Sequence, residues 1–173
     1  MRETGLYRFE NPGRSGIFAE KHNMNYSSPD LTQNPPRSPR IRLGGYVIVP
    51  RMLDKCRATI AGKNGEYHFN CPLDQRFLQF TGIDPEAIKA EVAKGLSDAE
   101  IMAWIAANAP QKRGEMEIAQ WSAMQDQSYP SGNEMRVHFN ERVVEAKAAH
   151  RVDIKGWFDY LDVDDYSTFG GKP

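Results

Sequence analysis

The stretch CPLDQRFLQFTGIDPEAIKAEVAKGLSDAEIMAWIAAN, residues 71–108, decides the fold class, because it holds three helix starts separated by glycine stops. Cys71-Pro72 opens the first helix, with Leu73, Phe77 and Phe80 as its apolar positions, and Gly82 stops it. Asp84 as N-cap and Pro85 at the first helical position open the second, which ends at Gly95. Ser97 and Glu100 have the spacing of a capping box, and Ile101, Trp104 and Ile105 follow on one face. Proline early in a helix gives up an N–H that has no partner there, and glycine past the end takes a left-handed turn at low cost. The chain from about Arg51 to Leu161 is therefore expected to be mainly helical.

Working outward, Leu53, Cys56 and Ile60 recur at i, i+3 and i+7, and Gly62 stops a helix over 51–61. Downstream, Ile118, Trp121 and Met124 mark a helix over 114–127, and Phe139, Val143 and Ala146 one over 133–149. Ile154, Trp157, Phe158 and Leu161 point inward from a helix over 151–162, and the tail DDYSTFGGKP reads as non-helical. Trp104, Trp121 and Trp157 each fall on an apolar stripe, as core anchors do. Two short stretches read as extended: Tyr46-Val47-Ile48-Val49, ended by Pro50, and EYHFN at 66–70, where apolar residues alternate. The expected fold is a compact multi-helix orthogonal bundle with at most a short β-hairpin. Pro29, Pro35, Pro36 and Pro39 make residues 24–45 a Pro-rich extended arm. Residues 46–173 form the helical domain. Residues 1–23, polar and rich in glycine, read as a disordered tail or as a stretch before a true start at Met24.

The chain has 173 residues, a formal net charge of -1 and 40% hydrophobic residues. A chain of about 150 residues buries roughly 68–70% of its unfolded surface, so a full core is within reach. No apolar run approaches the about 20 residues needed to span a bilayer, so no membrane partner is expected. The near-neutral charge argues against a dedicated nucleic-acid binder. Cys56 and Cys71 are too few for a disulfide-stapled secreted domain, and the opening residues do not resemble a signal peptide. The expected compartment is the cytoplasm, with both thiols reduced.

The best candidate for chemistry is His68-x-x-Cys71-Pro72. Cys71 falls at a helix N-cap, where the helix dipole can lower a thiol pKa, and His68 stands near as a base. Asp74 in the first turn competes for the same dipole. The competing reading is structural, a small cysteine capping a helix beside a hydrogen-bonded histidine. A second candidate is the face Glu134, His138, Glu141 and Glu145, aligned on one side of a helix. It lacks the pairing of a helical metal motif and reads as a solvated acidic face, so neither a metal nor a cofactor is expected. Charge is also segregated along the chain. Six basic residues, Arg37, Arg40, Arg42, Arg51, Lys55 and Arg57, stand against Asp54 between 31 and 57. Five aspartates, Asp153, Asp159, Asp162, Asp164 and Asp165, stand against Lys155 between 153 and 165. These two stretches either pair with each other or leave the basic one to hold an anion.

Two functional classes lead, with a nucleic-acid-associated factor as the least favoured third. One is a small enzyme or ligand binder, with a pocket where 66–71 meets the basic helix 51–61. There Arg51, Lys55 and Arg57, with Trp121 as an aromatic wall, hold a small anionic molecule, and His68 and Cys71 carry any catalysis. The other is a non-catalytic module that pairs with itself or another protein through the Pro-rich arm and the charge asymmetry. The residues leave open whether the chain is an enzyme.

Four segments carry a resemblance: LTQNPPRSPRIRLGGYVIVPRMLDKCRATIAG from Leu31, GEYHFNCPLDQRFLQFTGID from Gly65, EIAQWSAM from Glu117 and DIKGWFDYLDVDDYSTFGGK from Asp153. Together, in this order, they resemble a bacterial family, the domain-of-unknown-function family numbered 5069. The resemblance runs from about Asp30 to Lys172 and leaves residues 1–23 outside. It implies membership, and it carries no reaction, substrate or catalytic residue with it.

Overall fold

The computed structural model describes residues 28–173, so the expected tail or misplaced start within 1–23 lies outside the described residues. The described chain is mainly helical. Its elements are α1 (Val49–Ile60), α2 (Pro72–Thr81), α3 (Pro85–Val92), α4 (Asp98–Asn108), α5 (Glu115–Asp126), α6 (Gly132–Glu145) and α7 (Trp157–Thr168). Among the described residues there is no strand. No helix among them is long and apolar enough to cross a membrane.

The punctuation of 71–108 works as its chemistry dictates. Cys71 is the N-cap of α2 with Pro72 at its first position, and Gly82 closes it in the left-handed region at φ 73°. The Asp84 carboxylate accepts from the Ala87 N–H at 2.9 Å, satisfying a donor that the start of α3 leaves unpaired. Ser97 and Glu100 close a reciprocal box on α4: the Glu100 N–H donates to Ser97 Oγ at 3.2 Å, and the Ser97 N–H donates to Glu100 Oε2 at 2.8 Å.

Helix α1 runs through the middle of the molecule and packs on α2 and α3. Every residue from Val49 to Ala58 is buried, including Arg51, Asp54, Lys55 and Arg57. Its apolar side chains Met52, Leu53 and Cys56 join Phe77, Leu78, Ile88, Ile101, Ile105, Trp121 and Phe158 in the main core. A smaller cluster, Phe139, Val143, Ala146, Ala148 and Val163, fills the contact between α6 and α7, with Trp157 packed against it.

Four local expectations are corrected. Tyr46–Val49 is no strand. Leu43 and Tyr46 exchange backbone hydrogen bonds of 2.9 and 3.0 Å around Gly44-Gly45, and the chain enters α1 at Val49. Residues 66–70 form turns, with the Tyr67 N–H donating to Asn64 O at 2.9 Å. Ile60 and Met124, assigned to buried stripes, are 43% and 62% exposed, because α1 ends at Ile60 and α5 turns Trp121, Ser122 and Gln125 inward instead. The last helix starts later and runs further than its apolar period indicates. Gly156 caps it, its N–H donating to Asp159 Oδ2 at 2.8 Å, and it continues to Thr168 through the expected tail. Beyond residue 162 its buried positions are Val163 and Asp165, and a buried aspartate interrupts an apolar count.

Residues 28–45 have no helix, as their prolines require, yet they lie against the domain rather than reaching away from it. Leu31, Pro36 and Pro39 are buried, and the Ile48 N–H donates to Pro39 O at 2.8 Å. Arg37 grips α1 and α4 through Asp54 at 2.8 Å and Asp98 at 2.6 Å.

Candidate functional site

The basic stretch and the acidic stretch meet inside one chain. Arg40 reaches Asp159 at 2.6 Å and Asp162 at 2.8 Å. Arg51 donates to both oxygens of Asp165, at 2.5 and 3.0 Å, and the Tyr67 hydroxyl donates to Asp165 Oδ1 at 2.8 Å. Arg57 donates to Asp98 at 2.6 Å and to Leu96 O at 3.1 Å. Lys55 donates to Asp74 Oδ1 at 2.8 Å. These pairs are what allows α1 to be buried, since a charge leaves water cheaply only with a partner. Of the two alternatives for the basic stretch, pairing is the one observed: Arg51, Lys55 and Arg57 meet Asp165, Asp74 and Asp98, the last shared with Arg37.

One side of α1 borders a cleft of about 630 Å³, the size of an ordinary small-molecule site. Arg51, Lys55, His68 and Cys71 line it, together with Tyr67 and Asp164. Leu31, Leu73, Leu161 and Phe169 supply apolar walls. Arg57 and Trp121 are not among its lining. Arg57 sits at the α4 N-terminus with Asp98, and Trp121 stacks on Phe80 at 5.0 Å inside the core. The edge near Leu31 depends on Gly65, at φ 53°, where a Cβ would stand 3.0 Å from the Leu31 carbonyl oxygen.

At the polar end, the Lys55 ammonium lies 3.0 Å from Cys71 Sγ and 2.8 Å from Asp74. The Lys55 side chain is only 4% exposed, and Asp74 is fully buried. Burial pushes the Asp74 carboxyl up, although Lys55 opposes that shift. An ammonium has three N–H groups; Asp74 and Cys71 take two, and the third has no acceptor among the described residues. Cys71 is half-buried at the cleft, whereas Cys56 is fully buried on α1 and burial pushes its thiol up to about 12. Across the cleft, burial also raises the carboxyl of Asp164.

Sequence reasoning brought Arg51, Lys55, His68 and Cys71 to one place and missed Tyr67, Asp164, Leu161 and Phe169. Two of them, Asp164 and Phe169, lie in 164–173, the segment expected to be non-helical, which α7 enters as far as Thr168. Asp74 was read as a competitor of the Cys71 thiolate, and the structure gives it to Lys55. The face Glu134, His138, Glu141 and Glu145 is exposed on α6. Among the described residues no group of three or more His, Cys, Asp or Glu is placed to hold a metal ion.

No curated protein matches this chain. The family model described as Domain of unknown function (DUF5069) matches residues 33–167, which takes in α1 to α6, nearly all of α7 and every lining residue of the cleft except Leu31, Thr32, Thr168 and Phe169. The chain belongs to that family.

Proposed function

We propose that the cleft binds a small molecule made of an apolar body and one anionic head, and that Cys71 is the nucleophile of the site. The observation that carries this reading is the Lys55 ammonium, buried beside Cys71 Sγ at 3.0 Å with one N–H unspent. A buried ammonium with a free donor suits a carboxylate or phosphate oxygen. Leu31, Leu73, Leu161 and Phe169 suit the apolar body. The same positive charge beside the sulfur supports covalent chemistry at Cys71, and His68, exposed at the cleft, is the group available to take a proton.

Octanoate and octanol share an apolar body and differ in the anionic head. Alkylation of Cys71 by iodoacetamide, read by peptide mass spectrometry on the folded protein, is expected to slow in octanoate and far less in octanol. Equal protection by both removes the anionic head from the proposal, and no protection by either removes the ligand.

A further inference from the structure

We propose that the Cys71–Lys55 contact is an oxidative cross-linking site: a hydroperoxide entering the cleft oxidises Cys71, and the Lys55 amine captures the oxidised sulfur. Three features favour it. Cys71 borders open space, so an oxidant has access. Lys55 Nζ is already 3.0 Å from the sulfur, held there by Asp74. Both cysteines are free, and the second, Cys56, is fully buried within α1.

The steps balance. The Cys71 sulfur attacks one peroxide oxygen, a sulfur–oxygen bond forms and the oxygen–oxygen bond breaks. Sulfur is oxidised by two electrons to a sulfenic acid, and the peroxide is reduced to water or an alcohol, which leaves with the thiol proton. The Lys55 ammonium then passes a proton to Asp74, and the neutral amine attacks sulfur. A sulfur–nitrogen bond forms, the sulfur–oxygen bond breaks, and the hydroxide leaves as water with the second amine proton. Asp74 ends protonated and neutral, so losing the Lys55 charge leaves no unpaired ion in the interior. The upward push that burial already exerts on the Asp74 carboxyl is in the direction this proton transfer requires. An added thiol attacks the sulfur, breaks the sulfur–nitrogen bond and releases the amine, leaving a mixed disulfide on Cys71; a second thiol then displaces Cys71, leaves as the reductant's disulfide and restores the pair.

The full chain is treated with one equivalent of hydrogen peroxide and mapped by peptide mass spectrometry without reductant. The expected product joins the Lys55 and Cys71 peptides, is two hydrogens lighter than their sum, and disappears with dithiothreitol. In Lys55→Arg, which keeps a cation opposite Asp74 and has no amine, the cross-link is lost and a dimedone adduct of Cys71 replaces it. Cys71 found as sulfinic or sulfonic acid with Lys55 unmodified, or left unoxidised, overturns the proposal from the wild-type sample alone. The reaction needs no bound ligand, so the cross-link and the octanoate protection stand or fall separately.

Discussion

Arg51 and Asp165 show how one ion pair holds a helix in the core. Their side chains are 4% and 9% exposed, and Asp165 also accepts from Tyr67. Removing one member strands the other without water, a change that costs about 3–5 kcal/mol. Asp165→Ala is expected to lower unfolding stability by that amount in urea titrations; a loss under about 1 kcal/mol, the size of a surface pair, contradicts the assignment. Asp98 makes a pH-dependent counterpart. Burial opposes its ionisation, yet hydrogen bonds from Arg37 and Arg57 outweigh that and hold its carboxyl below the usual range. A carboxyl lowered by folding stabilises at every pH above its ordinary value of about 3.9, and the benefit vanishes as pH falls through the folded value. Asp98→Asn should therefore reduce stability at neutral pH and flatten its loss in acid. An unchanged acid limb in pH-dependent denaturation contradicts this.

Helix α7 is the element that ties the smaller core cluster to the larger one, through Val163 on one side and Phe158 on the other. Deleting residues 164–173 removes Asp165 and three cleft-lining residues, Asp164, Thr168 and Phe169. With Arg51 stranded, and about 2–4 °C lost per kcal/mol in a chain of this size, the melting temperature is expected to fall by about 6 °C or more. A fall within a degree or two means the tail is not structural. The starts of α2, α3 and α4 were legible because their signals are local: a proline, an N-cap, a capping box within four residues. The length of α7 was not, because its last turns are held by a partner 114 residues away in sequence, Arg51. The turns at 66–70 were misread for a related reason. Alternating Tyr67 and Phe69 look like a strand, yet Tyr67 is placed by Asp165 and by the Arg51 guanidinium 5.5 Å from its ring.

At the scale of the whole molecule, the basic and acidic stretches meet as ion pairs within the chain. The segregation of basic and acidic stretches was legible; their mutual pairing through Arg40 and Arg51 depended on topology and was left open. The same holds for the candidate site. His68 and Cys71 are neighbours in sequence, so their shared cleft followed from a short motif. The position of Lys55 followed from helix packing and was expected only as one of three basic residues. Arg57 carries the same charge two residues on and faces Asp98 instead. The two thiols differ in one decisive respect: Cys71 opens on the cleft beside Lys55, and Cys56 is sealed in α1 with its thiol pushed up to about 12. Peptide-resolved alkylation of the native protein with iodoacetamide, followed over time between about pH 6 and 9, tests it most directly. Cys71 is expected to label in the native protein, with Cys56 silent until the protein is unfolded; labelling of Cys56 as fast as Cys71, or silence of both in the native state, would contradict this.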